Sequence, residues 1–139
     1  MKHLWCIAMV CVALASCMSH HTSAVVDTPP RGWSEPLTMA YHNADTLSAG
    51  DVGVILYYEA AAPVSVELVV EVTSPDGYAS CDTVVCYTPR GESRHNYYER
   101  KVVFRRGTVM RCAGDYQVTF TPTDTLDGVW AVGLIRDLN

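Results

Sequence analysis

Residues 65–88 read SVELVVEVTSPDGYASCDTVVCYT. In the first nine, Val66, Leu68, Val70 and Val72 alternate with Ser65, Glu67, Val69 and Glu71, the period-two pattern of a strand with one buried face. Ser74-Pro75-Asp76-Gly77 follows at once and suits a tight turn closed by a glycine at positive φ. The stretch therefore predicts a hairpin joining residues 64–73 to residues 79–88.

The same alternation recurs on both sides. Tyr116, Val118 and Phe120 alternate with Gln117, Thr119 and Thr121, while Leu37, Met39 and Tyr41 point inward and His42 outward. Two segments, DVGVILYYE (51–59) and GVWAVGLI (128–135), are apolar at nearly every position, as strands covered on both faces are. No segment carries a sustained helical stripe. The expectation is an all-β chain of six or seven strands, an antiparallel β-sandwich with immunoglobulin-like winding. AGDYQVTF (113–120) adds a local echo of the tyrosine corner at Tyr116, with Val118 where immunoglobulin domains place their second Cys.

Ahead of the strands, Lys2 and His3 lead into the apolar or small run Leu4 to Ala15. That run is short of the ~20 residues a spanning helix needs and reads as a secretory signal. It ends in Leu14-Ala15-Ser16-Cys17, which is similar to a bacterial lipobox, where the cysteine at the cut is acylated and becomes the mature N-terminus. The expected organisation is a signal peptide over residues 1–16, lipidated Cys17 with a flexible tether over 17–32, and a β-sandwich over 33–139. Two or more acyl chains hold a protein stably on a membrane that it does not span. The tether reading rests on Met18 to Gly32, which shows no period and contains Pro29-Pro30.

Without the signal the chain carries nine basic and fifteen acidic side chains, a formal net charge of −6. That balance argues against nucleic acid as a partner. Seven of the nine cations nonetheless fall between Arg90 and Arg111. Arg100, Lys101, Arg105 and Arg106, with Tyr97 and Tyr98 beside them, form a candidate contact surface for an anionic envelope partner. Alternatively, these charges guard a solvated strand edge against sheet-to-sheet pairing.

Catalytic and metal-binding patterns are missing. His20, His21, His42, His95 and the scattered acids show no zinc spacing, nucleophile elbow or phosphate loop. Asp76 and Asp82 lack an EF-hand loop around them. No cofactor, metal or small-molecule substrate is expected. A thiol enzyme built on Cys81 or Cys86 with His95 would need a third residue to orient the pair, and none is in view. Within one strand, Cys81 and Cys86 would lie roughly 16 Å apart on opposite faces, beyond the roughly 4.4–6.8 Å a disulfide spans. Cys81, Cys86 and Cys112 are expected to be reduced, although a bridge from Cys112 to either stays open.

The lipobox, the Pro29-Pro30-Arg31-Gly32-Trp33 entry, the SPDG turn, Asp82-Thr83, GDYQVTF (114–120) and the ending LDGVWAVGLI (126–135) together resemble the gliding motility lipoprotein GldH family of Bacteroidota. Thr121-Pro122-Thr123-Asp124 stands where that family usually has a Gln-x-Met-Arg stretch. The resemblance implies a non-enzymatic, lipid-anchored accessory factor, a scaffold or assembly component linked to gliding and type IX secretion, with envelope proteins as partners. Met18 after the lipidated Cys, in place of the Asp that retains lipoproteins in the inner membrane, points to the outer membrane, facing the periplasm. The alternative is a module that binds glycan or another envelope polymer. An exposed aromatic platform from Tyr97, Tyr98 and Trp130 beside a groove would mark it.

Overall fold

The computed structural model describes residues 21–91 and 97–138. The residues read as a signal and Cys17, together with Arg94 and His95, lie outside these residues. Eight strands run in the order β1 (His21–Asp27), β2 (Leu37–Asn43), β3 (Ala49–Tyr58), β4 (Ser65–Thr73), β5 (Ala79–Tyr87), β6 (Tyr98–Val109), β7 (Gly114–Pro122) and β8 (Val129–Leu138). They form two four-stranded sheets, ordered β1-β8-β3-β6 and β2-β7-β4-β5, and every pairing is antiparallel.

The all-β sandwich is as expected, with eight strands where about seven were foreseen. The extra strand is β1. It occupies residues read as tether and pairs with β8 over its whole length, from His21 opposite Asp137 to Asp27 opposite Ala131. Its inward residues Ala24 and Val26 pack against the core. The short HTSAVVD segment hides this role because Thr22 and Ser23 are adjacent, as are Val25 and Val26, so the strand presents little period-two contrast.

Winding differs from the immunoglobulin-like order as well. Only β4 and β5 are sequence neighbours that also pair; every other connection crosses between the sheets. Eight strands wound this way form a jelly roll. Among the described residues the one hairpin is the predicted one, with Ser65 opposite Tyr87 and Thr73 opposite Ala79. Its turn holds Gly77 at φ 88°, a conformation that glycine adopts without a Cβ penalty, and Gly77 N donates to Ser74 O at 2.9 Å.

Between the sheets lie Val66, Leu68 and Val70 of β4, Val118 and Phe120 of β7, Val54 and Leu56 of β3, and Val132 and Leu134 of β8. Each such side chain contributes roughly 1.5–3 kcal/mol when fully buried. β3 and β8 are covered on their outer face too. Ile55 stands opposite Gly133 and Gly53 opposite Ile135, and both isoleucines are buried. A Cβ at Gly133 would come within 2.2 Å of the Ala24 carbonyl oxygen, so glycine is what lets β1 close against β8. Tyr116 accepts a hydrogen bond from Cys112 N at 3.2 Å on its hydroxyl. The tyrosine-corner contact is therefore present although the surrounding winding is not immunoglobulin-like.

Antiparallel strands give the sandwich two distinct ends. The start of β1, the end of β8, the β2–β3 and β6–β7 connections and the SPDG turn gather at one. The end of β1, the start of β8, and the junctions after β3 and before β6 gather at the other.

Candidate functional site

At the first end, the organising residue is Arg136, only 2 % exposed. One guanidinium nitrogen donates to Asn43 Oδ1 at 2.7 Å and to Asp45 O at 3.0 Å, and the other donates to Ser48 O at 2.7 Å. Asn43 Nδ2 passes the linkage on to Met110 O (3.0 Å) and Cys112 O (2.9 Å). Two loops are thereby tied to β8. Asp45 Oδ1 accepts Leu47 N and Ser48 N. Those hydrogen bonds, that of Ser48 foremost, lower the carboxyl to a pKa of about 2.

Beside this network the gap between β5 and β6 opens into a cleft of about 520 Å³. Its floor includes Val72, Phe104 and Leu134, and its rim Asp76, Arg105 and Cys112. Burial, then the Asp76 carboxylate, raises the Cys112 thiol above its usual value. Hydrogen bonds from Ser74 and Tyr78 lower Asp76 in turn. Asp76 thus does turn chemistry.

The predicted cationic residues all lie on edge strand β6, but the structure divides them. Arg105 Nε donates to Asp82 at 2.9 Å, linking the edges of the two sheets. Arg106 approaches Asp51 at 3.5 Å and Lys101 approaches Glu99 at 3.6 Å. Arg100 is exposed beside Glu99 in β6. Much of the stripe's charge is locally matched, and Val102 and Phe104 between these residues pack inward, the arrangement of a charged, guarded edge. Exposed pairs of this kind contribute little to stability.

Nor do the two tyrosines stay together. Tyr98 turns in and stacks on Tyr58 with ring centroids 5.4 Å apart. Tyr97 remains outside, 49 % exposed, and meets Tyr57 edge-on at 6.4 Å.

Tyr57, Tyr97 and Trp130 line a second, shallower groove of about 690 Å³ at the far end. Its geometry comes from β8. Tyr57 pairs with Ala131 and Tyr58 with Val129, so Trp130 is the extra residue of a β-bulge. Bulges re-aim side chains and are supported where they occur. The support here is Thr28, buried at 7 % exposure. Its N–H donates to Trp130 O at 2.9 Å and its hydroxyl to Val129 O at 2.7 Å. Val129 stays in the core, while Trp130 stands 49 % exposed. The sequence showed Trp130 and Tyr97 as aromatic candidates but held no sign of Tyr57 as their neighbour or of the bulge that turns Trp130 out.

Cys86 is fully buried, and burial pushes its thiol up to about 11. A thiol nucleophile needs its pKa lowered, so Cys86 is a core residue. Cys81 is exposed and lies on the opposite face of β5 from Cys86, and Cys81, Cys86 and Cys112 are all free thiols. His42 pairs with Asp115 at 2.9 Å on the exposed face of the β2–β7 pair. Among the described residues, no three His, Cys, Asp or Glu side chains converge to hold a metal ion.

No family model and no curated protein matches the chain. Among solved structures, it is similar to a family GH115 4-O-methyl-α-glucuronidase with specificity for decorated arabinogalactans. Identity is 19 %, the TM-score is 0.42, and the match covers 85 % of this chain and 14 % of that one. A structure of the Gx strain of infectious bursal disease virus gives 8 % identity and a TM-score of 0.41, covering 86 % and 32 %. The Gt strain gives 12 % and 0.38, covering 84 % and 29 %. The chain spans less than a third of the length of each, and likenesses at these scores carry no argument about function.

Proposed function

We propose that this chain is a lipid-anchored protein of the cell envelope that acts by contact, resembling the GldH accessory lipoproteins, with Cys17 as the acylated residue and a periplasm-facing outer membrane as its site. The observation that supports this reading is the lipobox-like Leu14-Ala15-Ser16-Cys17, and the position of β1 sets which end an anchor there would hold. β1 begins at His21, four positions after Cys17, and all seven of its residues pair with β8. Four residues reach at most roughly 14 Å. An acylated Cys17 would therefore hold the Arg136 end of the sandwich against the lipid headgroups, and the long tether read from sequence would not exist.

The resemblance supplies the rest of the reading: a scaffold or assembly component linked to gliding and type IX secretion, without enzyme chemistry. Partners would meet a body presented at fixed height, with the β6 edge, Arg100 and Lys101 included, on its flank. Metabolic labelling with a fatty acid is the test. Wild type is expected to incorporate the label and fractionate with membranes, and Cys17→Ser to lose both properties. Equal labelling of the two proteins would defeat the proposal.

A further inference from the structure

From the far-end groove we infer a second activity, beyond anchoring and scaffolding: it binds a neutral chain of equatorially substituted pyranoses, stacked on Trp130 and Tyr97. The residues suit that ligand class from two directions. The flat C–H faces of equatorially substituted pyranoses are apolar, whereas their edges are hydroxyls. A groove for them needs exposed aromatic faces beside polar acceptors and donors. Trp130 and Tyr97 supply the faces, each 49 % exposed. Tyr57 braces Tyr97 edge-on, and aromatic pairs in that arrangement are favourable.

The polar partners are Asp27, Glu59 and Arg31 on the same groove. Carboxylates accept hydrogen bonds from hydroxyls strongly, and a guanidinium only donates. With two carboxylates to one guanidinium, the groove repels uronates and phosphates and favours an uncharged chain. Asp27 and Tyr57 flank Ala131 in the pairing across the sheet, so the smallest side chain lies between a carboxylate and a ring and leaves a trough. The Thr28 hydrogen bonds that hold the bulge keep Trp130 standing at its edge. A half-exposed tryptophan on a bulge braced by a buried threonine is a preorganised platform, and preorganisation favours binding.

The groove and the β1 start are at opposite ends of a body about 30 Å long, taking β8 as the measure. A chain bound there would lie away from an anchoring membrane, and the lipid and the groove can be tested separately. Full-length protein in detergent is titrated calorimetrically with cellohexaose and chitohexaose, and with polygalacturonate as the anionic control. Saturable binding to at least one neutral hexaose is expected, weakened at least tenfold in both Trp130→Ala and Tyr97→Ala. Cys17→Ser should bind the hexaose like wild type, because it leaves the groove untouched. The inference is overturned if neither hexaose binds, if either ring variant binds as wild type does, or if polygalacturonate binds more tightly than the hexaoses.

Discussion

The two ends of the sandwich solve opposite problems with the same strands. At the Arg136 end, a buried guanidinium and Asn43 satisfy the carbonyls of two loops, and the polar groups face inward. At the Trp130 end, the buried polar residues are Thr28 and Thr88, and what Thr28 secures is an aromatic side chain facing outward. Arg136 uses polarity to close the fold; Thr28 uses it to hold a surface open. Their difference teaches that a buried polar residue must be read by what its partners do next.

Arg136→Ala is the strongest way to break this contrast. Removing the guanidinium strands buried Asn43 Oδ1 and the half-buried carbonyls of Asp45 and Ser48. A loss of about 3 kcal/mol in denaturant unfolding is expected, given the cost of leaving such partners unsatisfied. A loss under about 1 kcal/mol would show that water replaces the arginine at little cost, and the two ends would then be alike.

Alkaline pH tests the half of the core nearer the groove. The Cys86 thiol has its folded pKa raised to about 11 from an ordinary value of 9.0. Its stabilisation is therefore complete below pH 9 and is lost as pH rises toward 11, because the unfolded chain releases the proton first. A two-unit shift corresponds to roughly 2–3 kcal/mol. Cys86→Val should flatten that portion of the stability profile. If the wild-type and variant curves run parallel from pH 9 to 11, the thiol is not the cause.

A smaller effect separates folding from presentation. Thr28→Val removes the hydroxyl bond to Val129 O and should cost about 1 kcal/mol, with a red shift in tryptophan emission as Trp130 loses its fixed seat. Trp130→Ala should change stability by no more than about 0.5 kcal/mol, as exposed substitutions usually do. A larger loss from Trp130→Ala than from Thr28→Val would mean that the ring stabilises the fold and is not held out by it.

Much of the architecture was legible in the chain. The alternation in β2, β4 and β7 predicted which side chains face inward, and SPDG predicted the single hairpin, because both signals are local. The apolar runs announced β3 and β8 as central strands. β1 was unreadable for an equally physical reason: its seven residues owe their strand conformation to β8, more than 100 residues away, and its own pattern is weak. The basic stripe was visible as composition, but its charge partners Asp51 and Asp82 come from other strands. Tyr97 and Trp130 could be nominated one by one. That they share a groove with Tyr57, while Tyr98 turns away onto Tyr58, depends on register.

By itself, then, the sequence determined an all-β chain, the inward face of most strands and one hairpin, since period-two patterning and turn chemistry act over a few residues. Tertiary structure alone decided the jelly-roll winding, the docking of β1, the burial of Arg136 and the outward turn of Trp130. Each of these depends on backbone pairing between distant strands. The hydrogen bonds that make such pairings are common to all residues, so no local pattern of side chains can announce them.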